Sequence, residues 1–142
     1  MYKNIKAYAA KSFNDNLGPY KISRRDLGEN DVLIDILFCG VCHTDIHYLR
    51  NDWGISVYPL VPGHEIVGKV IKKGNKVKNI KINDLVGVGV LVNSCQSCFS
   101  CKKDLEPYCE TGATFTYNAP DKILGGRTFG GYSERIVVDK RF

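Results

Sequence analysis

Four cysteines, Cys95, Cys98, Cys101 and Cys109, read C-x2-C-x2-C-x7-C within one short polar stretch. No other feature restricts the fold as much. Thiolates at two-residue spacing close a tetrahedral shell around one zinc ion, and a four-thiolate shell leaves no open position for substrate. The tetrad therefore reads as a structural metal knot, which stabilises a loop that has little else to hold it. Two disulfides or four free thiols are the alternatives. Closely spaced Cys pairs in a cytosolic chain favour metal over bridges. The opening, Met1-Tyr2-Lys3-Asn4-Ile5-Lys6, lacks the apolar core of a signal peptide. A cytoplasmic setting with reduced thiols is the expectation.

The 142 residues amount to about one domain. No apolar run approaches the roughly 18 residues of a membrane span, so no membrane partner is expected. The formal charge of +5 falls to about +3 (5 − 4 + 2) once four thiolates hold one Zn²⁺. Lysines do cluster at Lys69, Lys72, Lys73, Lys76, Lys78 and Lys81. A base-stacking surface needs interleaved aromatic residues, and this cluster has none. It reads as the solvated face of a hairpin, with no nucleic-acid partner.

Most of the chain reads as short strands. Asn4–Ala10 alternates weakly. Asp31–Cys39 (DVLIDILFC) is the strongest strand, with Val32, Ile34, Ile36 and Phe38 predicted on one face. Ile66–Lys73 alternates and ends at the turn signal Gly74-Asn75. Leu85–Val92 is apolar and glycine-rich, and Tyr132–Val138 is a late strand. Only His43–Arg50 looks helical. Short strands punctuated by glycine suggest an irregular β-barrel or sandwich. Gly87-Val88-Gly89-Val90-Leu91-Val92 fails as a dinucleotide fingerprint, because Val92 replaces the last glycine and a Cys-rich loop follows where a helix should begin. Gly125-Gly126 and Gly130-Gly131 read as turns and bulges.

A second constellation lies upstream. All three histidines fall in GVCHTDIH (Gly40–His47) and GHE (Gly63–Glu65). Each segment can place a metal ligand at the end of a strand, Cys42 as thiolate and His64 as imidazole. Mixed Cys/His ligation with an open position is the chemistry of a catalytic zinc.

GVCHTD, PGHE and the cysteine tetrad resemble the zinc-dependent medium-chain alcohol dehydrogenases. VYPLVPGHEIVGKV, DLVGVG and GGYSERIVV are most similar to the cinnamyl alcohol dehydrogenase-like branch. The resemblance runs through nearly the whole chain and covers only the first part of such an enzyme. It implies a mainly β fold, the GroES-like partly open β-barrel with a short helix and a zinc-knotted loop. It implies that residues 1–142 are the catalytic, zinc-binding domain, truncated before a Rossmann cofactor domain. Cys42 and His64 match two of three catalytic-zinc ligands. Glu65 matches the carboxylate beside the metal, and Asp45 the group that orients His64 through its other ring nitrogen. Thr44 matches the hydroxyl that bonds the substrate oxygen, His47 the outer end of a proton relay, and His43 a contact to the cofactor pyrophosphate. Trp53 lines the substrate pocket or packs against the barrel.

The implied chemistry is hydride exchange between a primary alcohol or aldehyde and NAD(P), with zinc lowering the pKa of the alcohol oxygen. No cysteine follows Cys109 to match the third catalytic ligand, and Cys39 is expected to be buried on its strand. The tetrad zinc is thus expected to be tight, the Cys42/His64 zinc weak or incomplete, and the isolated chain inactive. Surface normally covered by the missing domain would favour self-association. A stand-alone zinc-stabilised β-domain or gene remnant that binds a partner without catalysis is the alternative.

Overall fold

The computed structural model describes all 142 residues. Eight strands form three small sheets, with one short α-helix between β3 and β4. β1 (Tyr2–Ala9) and β2 (Gly18–Arg24) make an antiparallel hairpin. β3 (Asp31–Cys39), β4 (Ile66–Lys73), β5 (Leu85–Val88) and β8 (Arg135–Asp139) make a four-stranded sheet in the order β5-β4-β3-β8. β6 (Leu91–Asn93) and β7 (Thr114–Phe115) make the third. Helix α1 (His43–Arg50) follows β3 directly. The four-stranded sheet ends at β5 and β8 rather than closing, which agrees with the expected partly open barrel. No helix is long and apolar enough to cross a membrane.

The core follows from strand alternation. Val32 and Ile34 of β3, Ile66 and Val70 of β4, Val88 of β5, and Ile136 and Val138 of β8 share one buried cluster with Val77. β3 is central, and Ile34 lies opposite both Val70 and Ile136. A second cluster, Ile5, Ala7, Ala9, Ile22 and Val61, packs the hairpin onto the loop before β4.

β3, α1 and β4 have the predicted ends. Three expectations change. The predicted single face of β3 breaks down: Leu33 is buried along with Val32 and Ile34, while Phe38 is 74% exposed. Register shifts after Leu33 and after Ile36 swing the second half of the strand outward. Leu85–Val92 is two strands, since Gly89 and Val90 interrupt the pairing. The late strand starts at Arg135, because residues 130–132 bond instead to the loop before His64. β2 and β7 carry too little alternation to have been predicted. The lysine cluster is solvated as expected. Only Lys73 turns in, donating to the carbonyls of Val77 and Ile80.

Candidate metal centres and active site

The tetrad occupies an irregular loop after β6, with short 3-10 turns at Cys101–Lys103 and Glu106–Tyr108. Its four sulfurs all lie within 4.8 Å of one another, and none is bridged. Cys95 Sγ and Cys101 Sγ are 3.9 Å apart. A tetrahedron with Zn–S distances of about 2.3 Å has sulfur–sulfur edges of about 3.8 Å, so the donors fit zinc. Backbone amides point at the sulfurs: Cys98 N–H at Cys95 (3.3 Å), Cys101 N–H at Cys98 (3.5 Å) and Cys95 N–H at Cys109 (3.5 Å). The Ser97 and Cys98 amides hold the Cys95 thiol down to about 5. The Thr111 hydroxyl, then the Cys95 amide, lower Cys109. Such donors favour the thiolates of Cys95 and Cys109, whereas Cys101, despite the Ser94 hydroxyl, is raised by burial and the Cys98 sulfur to about 11.

The second group forms where β3 and β4 meet. Cys39 pairs with Ile66, so the chain leaving β3 and the chain entering β4 emerge at the same edge. Cys42 lies three residues past β3 and His64 two before β4. The ligand atoms of Cys42, His64 and Glu65 come within 4.8 Å of one another. This is a mixed sulfur, nitrogen and oxygen donor set, of the kind that suits a catalytic zinc. Cys39 is half-buried rather than buried and is not in the group. Burial pushes its thiol up to about 11.

Asp45 ties the two ligand segments together. It is 1% exposed and sits in the first turn of α1. Its carboxylate accepts from Cys42 N–H at 2.9 Å, from Gly63 N–H at 3.0 Å and from the Tyr132 hydroxyl at 3.3 Å. His64 Nδ1 lies 3.8 Å from Asp45 Oδ1, outside direct hydrogen-bond reach. Gly63 has φ +100°, and a Cβ there would sit 2.7 Å from both Cys39 Sγ and the Tyr132 ring, so only glycine lets the chain turn into His64. Gly130 N–H and Gly131 N–H hold the carbonyls of Val61 and Gly63. The pair predicted as a bulge is a backbone splint for the His64 loop.

A cavity of about 130 Å³ opens beside this group. Thr44 and His64 line it with the aromatic side chains of Tyr48, Trp53, Phe115 and Tyr117. Trp53 is therefore a wall of the cavity, and its ring also meets Tyr48 edge-on at 5.1 Å. His47 and His43 lie beside it along α1. The His47 ring is 5.0 Å from Trp53 and 5.1 Å from His43, and its Nδ1 is 2.7 Å from Asp52 Oδ2. Sequence reasoning missed Tyr48, Phe115, Tyr117 and Tyr132. The run Phe115-Thr116-Tyr117-Asn118 just after the tetrad was the available signal.

Fold and site together define a GroES-like domain carrying two side-chain groups that could each hold a metal ion. The alcohol dehydrogenase GroES-like domain family matches residues 28–142, and the chain belongs to that family. It is 57% identical over 135 residues to a probable cinnamyl alcohol dehydrogenase 9 of Arabidopsis thaliana, and 53% to a probable mannitol dehydrogenase of Medicago sativa. Each alignment covers 95% of this chain and 37% of the relative. Among solved structures, a cinnamyl alcohol dehydrogenase from Sorghum bicolor superposes with a TM-score of 0.93 at 44% identity, over 97% of this chain and 39% of that one. A Helicobacter pylori enzyme of the same kind, complexed with NADP(H), superposes at 0.92 and 44%, over 97% and 40%. The chain spans little more than a third of the length of the curated relatives it matches.

Proposed function

We propose that this chain is the zinc-binding catalytic domain of an alcohol dehydrogenase that interconverts primary alcohols and aldehydes with a nicotinamide cofactor. The observation that carries this reading is the convergence of Cys42, His64 and Glu65, with His64 also lining a cavity together with Thr44 and Trp53. A scaffold held by the tetrad alone needs none of these residues. Cys42 Sγ and a His64 ring nitrogen would hold the catalytic zinc, and Glu65 would supply a third, displaceable oxygen. The bound ion would acidify an alcohol oxygen or polarise a carbonyl. Thr44 would hydrogen-bond the substrate oxygen from the cavity wall. His47, braced by Asp52, would accept the proton at the outer end of the relay, while His43 would meet the cofactor's phosphates. Trp53 would pack on the substrate's apolar part. The tetrad would hold a structural zinc.

These residues contain no Gly-rich strand–turn–helix unit, and α1 is the only α-helix. The cofactor would therefore be bound by polypeptide outside them, the Rossmann domain of a longer protein, and residues 1–142 alone would not turn over. Reduced thiols fit a cytoplasmic protein.

The test is a chimera in which this chain replaces the matching part of the Sorghum bicolor enzyme. Aldehyde reduction that survives the exchange and is abolished by His64→Ala, with tetrad zinc retained, is the expected result. A folded, zinc-replete chimera without turnover, or one indifferent to His64→Ala, overturns the reading.

A further inference from the structure

The backbone does not explain glycine at position 40. Gly40 has no positive φ, so other residues could adopt its conformation. What forbids a side chain there is space. A Cβ built on Gly40 would sit 2.2 Å from Glu65 Oε2, 3.0 Å from Glu65 Cβ and 3.3 Å from Glu65 Cδ. All three of its nearest neighbours thus belong to the Glu65 side chain. Other crowded glycines differ: at Gly74 and Gly130 a Cβ would strike backbone carbonyls, so those two serve the path of the chain. Gly40 alone is hemmed by a single side chain, and that side chain is a candidate ligand.

The β3–β4 pairing builds the contact. Cys39 lies opposite Ile66, and Gly40 N–H donates to the Glu65 carbonyl at 2.9 Å, one step beyond the last pair of the ladder. Position 40 therefore faces position 65, and the Glu65 side chain folds over the bare Gly40 Cα. From there its carboxylate comes within 4.8 Å of the Cys42 and His64 ligand atoms. Glu65 is exposed, and no hydrogen bond or ion pair within the chain fixes its carboxylate. A long solvated side chain gains rotamer freedom by turning away. The open space over Gly40 is what lets it lie beside the other two donors.

We propose that Gly40 is the positioning residue for Glu65: the Cβ it lacks is the space in which the carboxylate sits beside Cys42 and His64. The inference rests on the proposed role of these three residues as metal ligands only for its metal-binding consequence. The seat itself is a matter of shape.

Gly40→Ala is the test, because its backbone accepts alanine and the atom in the way is the far end of a flexible side chain. The variant should fold with a melting temperature close to wild type, while Glu65 Oε2 moves by about 1 Å or more to regain an ordinary contact. Cobalt titration follows both ligand groups, the tetrad serving as internal control. Gly40→Ala should weaken Co²⁺ at Cys42/His64 by about tenfold and leave the tetrad unchanged. In a Glu65→Ala background the same change should alter Co²⁺ affinity by less than about twofold, since the side chain it displaces is gone. A general loosening of the turn from β3 into α1 would instead weaken binding equally in both backgrounds. Gly87→Ala, where a Cβ meets only the Ile66 carbonyl at 3.6 Å, is the control and should change neither group. Equal or tighter Co²⁺ binding in Gly40→Ala, an equal loss in both backgrounds, or an unfolded Gly40→Ala each overturns the proposal. If wild type takes up no second Co²⁺, the ligand role of Cys42, His64 and Glu65 fails. Crystal structures of metal-free wild type and Gly40→Ala then still decide the seat: Glu65 Oε2 displaced from Cys42 and His64 supports it, and Oε2 in place overturns it.

Discussion

Replacing Arg24 with Met should destabilise the chain by about 3 kcal/mol and loosen the loop that presents His64. Arg24 is 8% exposed. Its guanidinium donates to the carbonyls of Phe129 (2.6 Å), Gly130 (2.8 Å) and Arg135 (2.9 Å), and to the Ser133 hydroxyl (2.9 Å). One side chain on β2 thus gathers the segment that leads into β8. Burial lowers its pKa from 12.5 to about 10, with Asp121 pulling the other way. That depression corresponds to roughly 3 kcal/mol against burying the cation. Removing the donors leaves the Phe129 and Arg135 carbonyls short, at about 3 kcal/mol each where the lost donor is charged, or about 6 kcal/mol, while the Ser133 hydroxyl still donates to the Gly130 carbonyl. The difference is about 3 kcal/mol, a drop in melting temperature of about 10 °C for a domain of this size. Urea unfolding and calorimetry at matched metal content measure it. Gly130 N–H and Gly131 N–H, which hold Val61 and Gly63, should exchange with solvent faster in the variant than in wild type. A loss below about 1 kcal/mol with unchanged exchange at those two amides would show that water takes over the carbonyls, and would refute the clamp.

Metal analysis after exhaustive dialysis should find about one zinc per chain. Cys98→Ser should remove it and lower the melting temperature, whereas Cys42→Ser should retain it and cost less; a chain that stays metal-free in both backgrounds contradicts the knot. Without metal, stability should fall as pH drops from 9 toward 5. The Cys95 thiol is held near 5 in the fold against 9.0 when unperturbed, so its contribution is full above 9 and lost as pH passes through 5. Cys95→Ser should flatten that limb in a pH series of urea curves, and an unaltered slope would count against it. Gly63→Ala should cost at least about 1–3 kcal/mol, because φ +100° strains any residue with a Cβ, and should displace the His64 resonances; a neutral substitution would disprove the tight turn. Phe38 (74% exposed) lies opposite Val67 (45% exposed) across the β3–β4 ladder, and such a patch promotes association. Sedimentation should show concentration-dependent self-association that Phe38→Ser weakens, and a strict monomer at high concentration is the opposing result.

The site was legible where ligands sit beside strongly patterned strands. β3 and β4 carry enough apolar alternation to fix their ends, and antiparallel pairing then brings Cys42 and His64 together. The tetrad was legible because its spacing is local. Arg24 was not, since Arg24-Arg25 reads as surface charge and its partners lie more than 100 residues away. Tyr117 and Phe115 sit on or beside a two-residue strand, too short for any period to show. The outward swing of Phe38 follows from bulges in β3, which alternation cannot encode.

The two ligand groups differ in what assembles them. The tetrad closes from one segment of the loop, and its amides aim at its own sulfurs, so its geometry needs little from the rest of the fold. The Cys42/His64 pair depends on the β3–β4 register, on Asp45 bonding both ligand segments, and on the Gly130–Tyr132 splint, which Arg24 anchors in turn. Apart from the local Cys42–Asp45 bond, these contacts join segments distant in sequence, and they fail with partial unfolding. Destabilising changes remote from both groups should therefore release the Cys42/His64 geometry first and the tetrad last. The Arg24→Met variant separates the two cases directly: cobalt at the tetrad should persist at denaturant concentrations that already remove it from Cys42/His64.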